Sequence, residues 1–374
     1  MFRTRAGWAG LWSVAAAMVI LAGAMGLAFG QQDKAAAEKA DTAKAAQVTE
    51  VKTLLAGLAV DPPRKHKNML VFPIRFSGKQ APGEWTVLDE ATAAGELKVS
   101  EKDQASVPEV LMENTGAKSV LIMSGEIIKG GKQTRMAAKD AVIETKGKVA
   151  VAVFCVEQHR WSGGKDFKAS NNMAPAAIKG ALIRGAGQAE VWAGVREMNR
   201  TLAPAAPPPT DSLEEGLESP EARERKAAAH KALGKFSPPD TIGIAVADAR
   251  TGRVAGMELF GRRDLFERLQ EKLIEGYALD LVQASGEWND ADAKKVTETD
   301  VEAFIALVLE GASKYEDTPG SGRGIDLTSG TVRGKGVALG ASAIHISIQD
   351  LQSPVTPAKP IVDRPPAVRG PAQR

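Results

Sequence analysis

Two short stretches of the chain carry residue types from which a binding or reaction site could be built. The first is Gly125, Glu126, Ile127, Ile128, Lys129, Gly130, Gly131, Lys132, Gln133, Thr134 and Arg135. Paired glycines let a backbone reach positive φ or approach another group closely. Lys129, Lys132, Gln133 and Arg135 place donors beside that bend and Glu126 adds an acceptor, a set suited to phosphate or carboxylate. A P-loop needs Gly, four residues, then Gly-Lys-Ser/Thr. Here Gly131 stands at the lysine position and Gln133 follows Lys132, which excludes that motif. The same residues also suit an ordinary tight turn with solvated basic side chains.

The second stretch is residues 149–161. Alternate residues of a strand share a face, which aligns Val149, Val151, Val153, Cys155, Glu157, His159 and Trp161. A thiol, a carboxylate and an imidazole in succession suggest nucleophilic chemistry. Side chains at i and i+2 stand ~6–7 Å apart on a flat strand, so direct hydrogen bonds among them need a bend. A buried structural cysteine is the commoner arrangement. The four histidines and single cysteine show no metal-ligand spacing, and no cofactor motif is found.

Taken together, Gly125-Glu126, Gly130-Gly131-Lys132-Gln133-x-Arg135 and Phe154-Cys155-Val156-Glu157-Gln158-x-Arg160-Trp161 resemble the ARG and Rhodanese-Phosphatase-superfamily-associated Protein domain family. Gln188, Val191, Trp192 and residues 275–280 are similar as well, so the resemblance covers roughly residues 66–350. The family name records association with ADP-ribosylglycohydrolase-type and rhodanese- or phosphatase-type proteins. The resemblance thus implies nucleotide-like or phosphorylated ligands, and no established activity.

Three readings follow. In the first, Lys132, Gln133 and Arg135 hold a small anionic or sugar-like ligand, or an envelope protein, while Glu157 and Arg160 orient groups and Trp161 offers a stacking face. In the second, the protein is a hydrolase of a phosphorylated or ADP-ribose-like substrate. Glu126 or Glu157 is then the general base, and Lys132 and Arg135 stabilise negative charge. In the third, Gly130, Gly131, Glu157, Arg160 and Trp161 lock the fold. The second reading requires Glu126 and Glu157 to face one pocket, and all site readings require the two stretches to meet.

The elements that position these residues read as α+β. Short strands at 69–76, 107–113, 119–123 and a hairpin of 140–145 with 148–157 point to an antiparallel β-sandwich over residues 66–170. Helical spacing then appears at 188–202, in two short helices over 211–233 divided near Pro220, and from Asp264 with Leu265, Leu269, Leu273 and Leu281. Thr299 and Glu302 match a capping box that opens a helix to about Gly311. Strands at 241–246, 253–260 and 343–348 complete a smaller α+β unit within a helical half, 171–350. Residues 31–65, with a loose helix over 47–58, read as a flexible linker, and the proline-rich tail 351–374 as disordered.

The chain of 374 residues opens with Arg3 and Arg5, an apolar run over 11–29, and Ala28-Phe29-Gly30 before polar Gln31. This is the pattern of a secretory signal over residues 1–30, which places the protein outside the cytoplasm, periplasmic or secreted. The alternative is an uncleaved membrane anchor. Cleavage takes two of the 48 Lys and Arg residues and none of the 46 Asp and Glu, leaving a neutral chain. Neutrality argues against nucleic acid, whose binding draws on surplus cations. A single cysteine forms no internal disulfide, so a packed core must supply stability.

Overall fold

The sandwich expected from the short strands forms around residues whose alternation buries one face of each strand. A computed structural model describes residues 47–352, apart from 103–107, 165, 237 and 283–287. The signal segment, residues 31–46 of the linker and the tail from 353 lie outside the described residues. The chain begins with α1 (Thr49–Ala56), β1 (Leu58–Val60), β2 (Arg64–His66) and β3 (Met69–Phe76). Then come β4 (Trp85–Val87), α2 (Leu88–Ala93), β5 (Leu97–Glu101), β6 (Glu109–Asn114) and β7 (Ser119–Ile122). The strands β8 (Glu126–Gly130), β9 (Arg135–Ala137), β10 (Ala141–Ile143), β11 (Lys148–Cys155) and β12 (Phe167–Met173) follow.

Helices α3 (Ala176–Ile183), α4 (Gln188–Leu202), α5 (Leu213–Leu217) and α6 (Pro220–Leu233) lead to β13 (Thr241–Asp248) and β14 (Arg253–Phe260). After α7 (Arg263–Leu281) and α8 (Glu298–Glu310), the described chain closes with β15 (Ala312–Glu316), β16 (Arg323–Ser329), β17 (Val332–Leu339) and β18 (Ser342–Asp350). The fold is α+β, rich in strands on its N-terminal side. Among the described strand pairs every ladder is antiparallel except β4 with β7.

A six-stranded sheet, ordered β12-β8-β9-β11-β6-β5, faces a three-stranded sheet, β10-β7-β4. Val110, Met112, Val120, Ile122, Val151 and Val153 fill the space between them. The turn between β10 and β11 was expected to close a hairpin. Instead β10 pairs with β7, and β11 pairs with β6 and β9. Lys146, at φ 60°, turns the chain from one sheet to the other. Asn114 braces that corner, its amide donating to the carbonyls of Lys118, Ile143 and Glu144.

The third sheet is the largest, with nine strands in the order β1-β3-β13-β14-β18-β17-β16-β15 and β2 beside β3. Its central β3 comes from the stretch assigned to the sandwich, so the two halves share a sheet. The reason is the ladder of β3 with β13, which runs along most of both strands with one irregularity between Thr241 and Gly243 and satisfies their backbone groups. Residues 47–65 are likewise no free linker: Val51, Leu54 and Leu55 of α1 pack on this sheet with Phe304 and Val308 of α8. On the opposite face, Leu265, Leu269 and Leu273 of α7 pack against Val246, and against Leu121 and Met123 at the three-stranded sheet. Each such leucine contributes about 1.5–3 kcal/mol when fully buried. Asp300 rather than Glu302 makes the box of α8, its carboxylate accepting from the backbone N–H and hydroxyl of Thr297.

Candidate functional site

The two motif stretches meet, and most of their side chains bond to one another. Thr134 donates its backbone N–H and its hydroxyl to Glu157 Oε2, at 3.1 and 2.9 Å. Gln133 Nε2 donates to the Glu157 carbonyl at 2.8 Å. Arg160 returns the contact: it donates to the carbonyls of Gly130 and Gly131 and pairs with Glu157 at 2.7 Å. Thr210 donates to the remaining Glu157 oxygen. Burial pushes the Glu157 carboxyl up, but the hydrogen bonds from Arg160 and Thr134 outweigh it and hold it below the usual carboxylate range.

The glycine pair serves this clasp. Gly131 has φ 52°, and a Cβ there would stand 2.3 Å from the Phe167 ring. Gly163, at φ 148°, passes so close that a Cβ would sit 2.2 Å from the Gly131 carbonyl oxygen. The close approach that glycine permits is therefore to the protein's own chain.

Arg135 and Gln133 are buried and bond to the protein itself. Arg135 is 1% exposed, donates to Gln133 Oε1 and Cys155 Sγ, and stands 3.7 Å from Glu101. Burial pushes the Cys155 thiol up, which suits a structural thiol. The expected common face of residues 149–161 ends at Glu157. His159 turns outward to Asp211, at 3.2 Å, and Trp161 is 53% exposed with Lys132 Nζ 5.5 Å from its ring centroid.

Beside the clasp lies an open groove of about 440 Å³. Glu157 and Arg160 reach it from the clasp, and Ser212, Glu214 and Glu215 reach it from the start of α5. Lys129 and Lys168 line it from β8 and β12, where they are direct cross-strand partners. Lys129 Nζ is 3.3 Å from Glu214, and among the described residues Lys168 has no ion-pair partner. Sequence reading noted Lys129 and passed over Lys168, whose significance depends on the register of two strands separated by 36 residues of chain.

Glu126 is absent from this groove. It is fully buried on the far side of β8, accepting from the Met123 N–H at 2.9 Å and from Lys272 at 3.1 Å, with Asp89 also against Lys272. Desolvation pushes both carboxyls up against the pull of the shared lysine.

A second buried network went unseen. His345 bridges Asp140 at 2.6 Å and Glu258 at 3.1 Å, and Glu258 also takes Lys179 at 2.5 Å and the Ser347 hydroxyl at 3.0 Å. Burial opposes a charged His345, but Asp140 and Glu258 carry it up to about 9. Burial likewise opposes a charged Glu258, and Lys179 and His345 bring it down to about 2. The available signal was a lone charge inside an apolar run, as in residues 255–260, 343–348 and 176–183. Among the described residues no cluster has the make-up of a metal site.

No curated protein and no solved structure matches the chain. The family match rests on residues 57–349, which include the clasp, the groove and both buried networks. With most of its length so matched, the chain belongs to the ARG and Rhodanese-Phosphatase-superfamily-associated Protein domain family.

Proposed function

We propose that this protein is an extracytoplasmic recognition domain that binds a negatively charged ligand in the groove without chemically altering it. The observation that carries this reading is the cross-strand pair Lys129–Lys168 facing the groove. Like charges directly opposite one another on a sheet are unfavourable. Glu214 offsets one of them, and an anion in the groove would offset the other. The clasp fixes the groove wall in advance, which lowers the ordering cost of binding.

Hydrolysis has weaker support. A general base works best with its pKa near the operating pH, whereas Glu157 is held low and spends both oxygens on the clasp. Glu126 lies outside the groove. Location rests on the signal pattern of residues 1–30, and among the described residues no helix is long and apolar enough to cross a membrane.

The test is thermal stabilisation by polyanions of three kinds: polygalacturonate, polyglutamate and polyphosphate. At least one raises the melting temperature of the wild type, and Lys129→Glu with Lys168→Glu removes the shift. Release of product from the stabilising polymer on prolonged incubation would establish the hydrolase reading instead. Mass analysis of the chain recovered from outside the cytoplasm is expected to give an N-terminus at Gln31.

A further inference from the structure

The groove's remaining free groups narrow the chemistry of what it accepts. This step rests on the groove being the binding site. Phosphate-binding loops use backbone N–H groups, yet those of the glycine bend are already taken. Gly131 donates its N–H to the Asp166 carbonyl at 3.0 Å, Lys132 to Glu101 at 3.3 Å, and Thr134 to Glu157 at 3.1 Å. Arg160 is spent on the carbonyls of Gly130, Gly131 and Ser162 and on Glu157.

The ammonium of Lys168 remains for an anion, with that of Lys129, shared with Glu214, beside it. Opposite to them in sign, Asp166 and Glu215 line the same groove and are exposed, and among the described residues neither carboxylate has a hydrogen-bond or ion-pair partner. Counting every lining charge, three cations meet four carboxylates. The four carboxylates repel a phosphate dianion more strongly than a monoanion, so the surface suits a single carboxylate seated on the lysine pair better. The free carboxylates suit a ligand that donates hydrogen bonds, as hydroxyl groups do, whereas the Ser212 hydroxyl already accepts the Glu215 N–H. Trp161 is not among the groove's lining residues, but it follows Arg160, which is, and it exposes a large apolar face beside Lys132. The CH face of a sugar ring packs on such a surface.

We infer that the groove recognises an acidic saccharide, a ring carrying one carboxylate and several hydroxyls, as in a uronic acid. Lys129 and Lys168 hold the carboxylate, Asp166 and Glu215 accept from the hydroxyls, and Trp161 supports the ring.

The experiment is calorimetric titration of the mature chain with trigalacturonic acid, maltotriose, pyrophosphate and the peptide Glu-Gly-Glu, repeated on Lys168→Met, Asp166→Ala and Trp161→Ala. These side chains are exposed, and circular dichroism confirms that each variant is folded. Trigalacturonic acid is expected to bind, maltotriose at least tenfold more weakly, and pyrophosphate not at all. Each variant is expected to lose about tenfold in affinity for trigalacturonic acid. Pyrophosphate binding that is lost in Lys168→Met would keep the groove and overturn the saccharide. Glu-Gly-Glu binding as well as the sugar acid would overturn it in favour of an acidic peptide. Binding of maltotriose equal to that of trigalacturonic acid would remove the role of the lysine pair. No binding by any of the four would overturn both the saccharide and the groove.

Discussion

His345 Nδ1 lies 2.6 Å from the Asp140 carboxylate, across the seam where the sandwich meets the nine-stranded sheet. Thr318 donates to the Asp140 carbonyl and Ser124 N–H to its other carboxylate oxygen, so this one residue ties both sheets together. The imidazole sits among Asp140, Glu258, Lys179 and Ser347 with no access to water.

This seam sets an alkaline limit. The folded pKa of about 9 lies above the usual 6.5, so the contribution of His345 is complete below pH 6.5 and is lost as pH rises through 9. Unfolding free energy should fall by on the order of 3 kcal/mol across that window. Urea titrations between pH 6 and 9.5 measure it. His345→Gln should be less stable at pH 6 and nearly flat over the window; a wild-type profile that is already flat there would refute the assignment.

Lys272 is the sole cation between Asp89 and Glu126 among the described residues. Replacing it with Met leaves two desolvated carboxylates and should cost about 3–5 kcal/mol at pH 8. Both carboxyls are raised, so the folded state takes up protons as pH falls and the penalty shrinks. Urea midpoints of wild type and Lys272→Met should therefore lie closer at pH 5 than at pH 8. A gap that widens in acid contradicts this.

Gly163→Ala places a methyl group against the Gly131 carbonyl at a positive φ. The expected cost is about 1–3 kcal/mol. Loosening of the 159–164 loop should also quench Trp161 fluorescence more readily with acrylamide. Equal quenching and an unchanged melting temperature would show that the loop does not depend on this approach.

Cys155 should be silent towards a disulfide reagent such as dithionitrobenzoate in the native protein, because it is buried and its thiol is raised. Reaction should proceed at least a hundredfold faster in denaturing urea. Rapid native labelling would restore the nucleophile reading.

Local patterns in the sequence made much of the fold legible. The leucine spacing of α7, the Pro220 break between α5 and α6 and the apolar runs of β3, β13 and β14 are each written within one short segment as a pattern of residue types. The partners of β10 and β11 were not legible, since these strands pair with β7 and with β6 and β9 rather than with each other. Glycines and charges in residues 323–340 also masked β16 and β17, which alternate but lack the usual β-branched density. At the site, the meeting of Gln133 with Glu157 followed from two unusual motifs. Lys168 gained its meaning from register, and Glu258 and His345 gained theirs from burial, and neither property is written in a single segment.

Gln188 holds a further consequence. Its side-chain amide accepts from the Cys155 N–H and donates to the Cys155 carbonyl, both at 2.8 Å, as a neighbouring strand would. The ladder thus ends on a helix-borne plug instead of an open edge, and residues 156–187 become an excursion stapled at both ends. The start of α4 is thereby fixed to the end of β11, and these two positions cannot separate without breaking both hydrogen bonds.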